Sequence, residues 1–186
     1  MGQYYMGVLG EVIPDHPYKD IQPFDKTKAG YKLTEMSWHG NSYVEAFAKR
    51  IYHHPMHVAW VGDYSNSSVP ACPDQIYYSC WGEKANPPKM KTVHDFSWDG
   101  KFLLNHDKKV FLDLPAYEKK LKRFDSDGWV MHPLPLLTAY GNGEGGGDYF
   151  SDCDLDKIGS WAWDVLSIED ERPDDGWTEV FFTFVD

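Results

Sequence analysis

Long apolar runs are missing from this chain of 186 residues. No stretch approaches the ~18 apolar residues that a membrane-crossing helix needs, so no such span is expected. Cysteine is scarce. Cys72, Cys80 and Cys153 are the only three, and no two form a C-x-x-C pair. An odd, scattered set argues against a disulfide framework and against a zinc knuckle. It points to reduced thiols, with Cys72 and Cys80 able to bridge only if oxidised. The start Met1-Gly-Gln-Tyr-Tyr5 lacks the basic residues and apolar run of a signal peptide. Both features lead to a cytoplasmic expectation. Positive charge is also in short supply: 18 Lys and Arg stand against 29 Asp and Glu, a formal net charge of −11. An acidic surface repels nucleic-acid phosphates and anionic lipids, so free DNA or RNA is a poor partner. It suits a basic protein surface, including one that normally holds nucleic acid. Solubility is the plainer explanation of the same charge. Catalytic signatures are lacking too. There is no G-x-S-x-G, and Cys80 stands among aromatic residues, as a core thiol does.

Aromatic residues are abundant: 8 Trp, 12 Tyr and 10 Phe. A disordered chain would be depleted in them. Trp38, Trp60, Trp81, Trp98, Trp129, Trp161, Trp163 and Trp177 are too many to sit centrally in one small core. Some are expected at the surface, where Trp and Tyr act as binding anchors. The alternative is a core that simply uses large rings. The length suits one domain over residues 1–186, large enough to need neither disulfides nor metal.

Hydrophobic periodicity predicts a first strand over 3–12, ending before Pro14, and an interior strand over 57–64. Tyr31–Met36 reads as a short strand. The clearest helix runs from about Ser42 to Tyr52, with Asn41 or Ser42 as its cap and Val44, Phe47, Ala48 and Ile51 on one face. Ile76 to Trp81 has helical spacing. Phe102–Asn105 and Val110–Leu112 flank His106-Asp-Lys-Lys109 as a hairpin would. A helix is expected from about Pro115 to Arg123, and strands at 129–132, 158–164 and 178–185. The last is apolar on both faces, which predicts a buried position. With no regular βαβ alternation, the expected class is α+β: a single domain with a mainly antiparallel sheet and two or three helices.

Five segments resemble a known family when taken together. They are Met1–Tyr5, Tyr31-Lys-Leu-Thr-Glu-Met-Ser-Trp-His-Gly-Asn41, Val58-Ala-Trp-Val-Gly-Asp-Tyr64, Asn105-His-Asp-Lys-Lys109 before Phe111-Leu-Asp113, and Pro133-Leu-Pro-Leu-Leu-Thr-Ala-Tyr-Gly-Asn-Gly-Glu-Gly-Gly-Gly-Asp-Tyr149. This set resembles a family of small bacterial proteins also carried by phages and other mobile elements. The resemblance spans nearly the whole chain and implies a mobile-element setting, in which interference with host defence is one job. The family has no established activity, so the resemblance implies no catalytic residue.

Three places could carry chemistry. Gly141 to Tyr149 places five glycines in seven positions, permitting positive φ and converging backbone N–H groups able to hold an anion. No P-loop Lys or Ser/Thr follows, and Glu144 and Asp148 would repel phosphate. A partner-binding or purely conformational loop is the better reading, with Tyr140, Asn142, Glu144, Gly145, Gly146, Asp148, Tyr149 and Asp63 as binding candidates. His53-His54-x-x-His57 has three imidazoles but is interrupted by Pro55, which forbids the continuous helix a zinc motif requires. Histidine at a helix C-terminus, complementing the dipole, is expected instead. Asp63, Asp148, Asp152, Asp154 and Asp156 could gather around Mg²⁺ if the fold allowed, but a solvated acidic loop is the plainer reading. No cofactor and no tightly held metal is expected. The leading expectation is an acidic, aromatic-rich interaction protein with a protein partner. The alternative is a small enzyme or nucleotide-binding protein using the glycine-rich loop with Asp63, Asp148 and a histidine.

Overall fold

The structure, a computed structural model, describes residues 3–12, 22–23, 31–65, 96–121, 130–141 and 154–184. Its centre is a pair of antiparallel strands, β1 (Tyr5–Glu11) and β3 (Met56–Gly62), with Gly7 opposite Trp60 and Leu9 opposite Val58. On one face of the pair, Tyr5, Leu9, Met56, Val58 and Trp60 join the main core. On the other, Met6, Val8, Ala59 and Val61 are buried as well. Apolar residues on both faces make these two strands interior ones, as the sequence predicts for the second. β2 (Gln22–Pro23) pairs with the outer edge of β1.

The remaining sheet is β4 (Phe102–Asn105), β5 (Val110–Asp113), β6 (Ala139–Tyr140), β7 (Val165–Glu169) and β8 (Thr178–Glu179). Strand order is β2-β1-β3-β7-β4-β5-β8, with β6 alongside β3. Only β3–β6 and β5–β8 are parallel. β4 and β5 form the expected hairpin. β3 shares one edge between two neighbours: its start pairs with β7 and its end with β6. The class is therefore α+β with a mostly antiparallel sheet of eight strands among the described residues.

Four α-helices are present among the described residues: α1 (Leu33–Met36), α2 (Ser42–Arg50), α3 (Leu114–Leu121) and α4 (Pro133–Leu137). α2 is the helix read from the sequence. Of its two candidate caps the structure uses Asn41, whose Oδ1 accepts from the N–H groups of Tyr43 and Val44 at 3.0 and 3.3 Å. Its apolar face lies on β1 and β3. Phe47 and Trp60 rings stand 4.3 Å apart, and Gly7 leaves the gap that Phe47 fills. α4 packs against α1, α2 and β3.

Several expectations are corrected. Tyr31–Met36 is not a strand: Tyr31 makes one bridge to Tyr5 and the chain then turns into α1, where the Glu35 carboxylate accepts from the Lys32 N–H at 2.8 Å. Only Met131 of the 129–132 segment forms a bridge, to Trp38, and Trp129 lies outside the described residues. Pro133 and Pro135 occupy the first turn of α4, where N–H groups have no intrahelical partner and proline costs nothing. Residues 158–163 form turns, and the strand comes later, at Val165–Glu169. The 178–185 segment joins the sheet only at Thr178–Glu179, on its edge. After Val180 donates to the Phe111 carbonyl, the chain leaves the sheet and ties itself to Asp154 through Thr183, while Phe182 and Phe184 enter the core. The Ile76–Trp81 helix lies outside the described residues.

Candidate functional site

The structure partly assembles the residues singled out at the sheet's end. Parallel pairing sets Val61 beside Tyr140, so Asp63 and Gly141 leave neighbouring strands at the same end. Asp63 is fastened to β1: its Oδ1 accepts from the Tyr4 N–H at 3.1 Å, and its N–H donates to the Tyr4 carbonyl at 2.9 Å. Gly141 has a packing role. A Cβ there, or at Gly62, would collide with the side chain of Gln3, which is fully buried and accepts from the Tyr5 hydroxyl at 2.9 Å. Asn142, Glu144, Gly145, Gly146, Asp148 and Tyr149 lie outside the described residues. Tyr140 meets Trp163 edge-on at 5.5 Å.

Three tyrosines gather at the same end. Tyr4 and Tyr64 flank the Asp63 anchor in space and in sequence, and Tyr31 bridges Tyr5 on the far side of β1. They are 42%, 42% and 47% exposed. Backbone pairing thus brings the three residues to one end of the β1–β3 pair.

The histidines of 53–57 stand at the opposite end of β3, roughly 20 Å from Asp63 at about 3.3 Å per residue. Each turns to different partners. His53 contacts Glu169 at 2.7 Å and Asp170 at 3.2 Å, His54 contacts Glu11 at 3.5 Å, and His57 meets the Trp163 carbonyl at 2.8 Å. The hydrogen bond to Glu169, opposed in part by desolvation, raises the His53 imidazole above its ordinary range. Asp154 and Asp156 are occupied by the Thr183 N–H and by Lys157.

A second cluster went unread in the sequence. The chain on either side of Trp38 pairs with the chain around Met131: the His39 N–H donates to the Val130 carbonyl at 2.8 Å and the His132 N–H to the Ser37 carbonyl at 3.0 Å. This brings together the end of α1 and the starts of α2 and α4. His39 lies 3.6 Å from Glu45 of α2 and 3.5 Å from Glu118 of α3. Its ring stacks on Trp98 at 3.9 Å, and Trp98 meets His132 edge-on at 4.9 Å. Glu45 and His132 are each only 1% exposed, whereas His39 is 25% exposed and forms the rim. Burial raises the Glu45 carboxyl to about 7; the Gly40 N–H bonded to it pulls down and the Glu118 charge pushes up. Burial also drives His132 well below the ordinary histidine range, and His39 adds to the effect. Four buried polar atoms here have no hydrogen-bond partner among the described residues: Ser37 Oγ, Glu45 Oε2, Trp98 Nε1 and His132 Nε2. Each costs about 1–3 kcal/mol if left dry. The only sequence signal was diffuse: two histidines, two glutamates and a tryptophan spread between positions 39 and 132, with no motif spacing among them. Comparison with family models, curated proteins and solved structures finds no match to this chain.

Proposed function

We propose that this protein is an interaction protein whose contact surface is the tyrosine–aspartate end of the β1–β3 pair, and that its partner presents a basic protein face. The observation that carries the reading is that exposed Tyr4, Tyr31 and Tyr64 all lie at the end of the β1–β3 pair that holds the Tyr4–Asp63 anchor. Tyrosine supplies large contact area at little entropy cost and keeps a polar tip for water or a partner. The rigid strands beneath hold the rings in place before binding, which lowers the ordering cost. The net charge of −11 supplies the complement for a basic partner. A host-defence component that normally holds nucleic acid fits both this charge and the mobile-element resemblance. Gly141, with which the glycine-rich segment begins, follows β6 at this same end.

The test starts from affinity capture in the native host and continues with the purified partner. Replacing Tyr4, Tyr31 and Tyr64 together by alanine should weaken the reconstituted complex by about 100-fold or more, since central aromatic anchors are worth about 1–2 kcal/mol each. The melting temperature should stay near that of the parent. Unchanged affinity in the triple variant would remove this surface from consideration.

A further inference from the structure

The turn that joins α2 to β3 is bound to β7 in two ways. Along the backbone, the His53 N–H donates to the Ile168 carbonyl at 2.9 Å and the Ile168 N–H to the Ile51 carbonyl at 3.0 Å. Through side chains, His53 Nδ1 meets Glu169 Oε2 at 2.7 Å and Nε2 meets Asp170 Oδ2 at 3.2 Å. His53 holds a left-handed backbone conformation, with φ at +54°. That region is uncommon for a residue with a Cβ, so the surroundings must keep it there.

The two side-chain contacts select the charged ring. A neutral imidazole donates from one nitrogen and accepts at the other, whereas an ionised carboxylate only accepts. With a carboxylate oxygen on each nitrogen, a neutral ring would set a lone pair against a lone pair at one of them. The imidazolium donates to both, and hydrogen bonds between ionised partners are the stronger kind. The other titratable groups nearby support this state. The Tyr52 ring lies against His53 at 3.9 Å and its hydroxyl donates to Asp170, while Lys101 Nζ approaches the same carboxylate at 3.2 Å. These bonds hold the Asp170 carboxyl below its ordinary range, so it stays ionised. The Glu169 charge also reaches His106, but burial lowers that imidazole, so it does not compete as a cation. His54 turns away to Glu11. We propose that His53 is a pH-sensitive latch that fastens the α2–β3 turn to the end of β7 while its ring is charged. Its imidazole is raised in the folded protein, chiefly by the bond to Glu169, so the latch is fully set below the ordinary 6.5 and is released as pH rises through the raised value. It stands at the opposite end of β3 from the tyrosine surface and does not depend on it.

The His53 ring resonances are identified by their loss in His53→Asn, since asparagine tolerates the left-handed backbone, and are followed by NMR from about pH 5 to about pH 9.5. Their midpoint should lie above 6.5, and Glu169→Gln, which leaves one ionised partner, should bring it down toward that value. The exchange of the His53 N–H with water, divided by its intrinsic rate at each pH, reports the latch itself. In the parent this ratio should rise about threefold or more as the midpoint is crossed, and in His53→Asn the ratio for the same amide should stay level. If His53→Asn does not fold, Glu169→Gln serves in its place: the rise should move to lower pH together with the midpoint. A midpoint at or below 6.5, or a ratio in the parent that stays level across it, would overturn the proposal and leave His53 as a surface ion pair with no hold on the turn.

Discussion

Glu45 is an acid held almost wholly out of water, in the first turn of a helix whose other inward residues are mostly apolar. Its carboxyl is raised from an ordinary 4.5 to about 7. The native state thus binds this proton more tightly than the unfolded chain does. Between about pH 4.5 and 7 the folded form holds more protons, so stability falls as pH rises through that window, and above pH 7 the whole penalty is present. A shift of this size corresponds to about 3 kcal/mol. Glu45→Gln cannot ionise but keeps an oxygen for the Gly40 N–H. Its stability relative to the parent should therefore improve by about 1–3 kcal/mol between pH 5 and pH 8, measured from urea midpoints at the two values. A difference that stays constant with pH would show that Glu45 ionises as freely in the folded protein as outside it. Residues of this kind were not legible in advance. Nothing in the sequence sets Glu45 apart from other helix glutamates, yet its carboxylate accepts from the Gly40 N–H and faces His39.

At the scale of elements, what could be read depended on periodicity. β1, α2, β3 and the β4–β5 hairpin carry regular apolar patterns and formed where those patterns lie. α1 and α4 have four and five residues, too short for a helical period to show, and α4 hides behind two prolines that usually argue against a helix. The 180–184 segment has a strand's alternation but pairs with no strand among the described residues, and Phe182 and Phe184 fill the core from an irregular chain. β1 and α2 meet closely at Gly7. A methyl group on Gly7 would stand 2.7 and 2.8 Å from two carbons of the Phe47 ring. Gly7→Ala should push α2 away and cost about 1–3 kcal/mol in chemical denaturation. Adding Phe47→Leu vacates room beside the new methyl, so the double variant should lose less than the sum of the two single losses. Strictly additive losses would show that the helix does not rest on Gly7.

For the whole molecule, the net charge of −11 is a long-range property that no single contact represents. It bears on the proposed partner through the rate of encounter. Attraction between an acidic protein and a basic face is screened over about 10 Å at 0.1 M salt. Association of the purified complex should slow by about tenfold or more between 50 and 300 mM NaCl, while dissociation changes little. Stopped-flow association rates give the test. A salt-independent rate would exclude a basic partner face, even if the tyrosines still carry the affinity.

Composition and pattern by themselves determined the class: an apolar, aromatic-rich chain with two-sided strands and one amphipathic helix buries a mixed core, and those features are local in sequence. They also led to Asp63, Tyr140 and Gly141, because glycine runs and turn acids are visible one residue at a time. The tertiary structure alone decided that β3 divides its edge between β6 and β7, which sets Tyr140 beside Val61 and carries the histidines of 53–57 to the other end. It alone set His39, Glu45, Trp98, Glu118 and His132 in contact. The physical reason is that burial, ring stacking and proton affinity depend on which distant segments share a space, and a sequence records neighbours along the chain rather than across it.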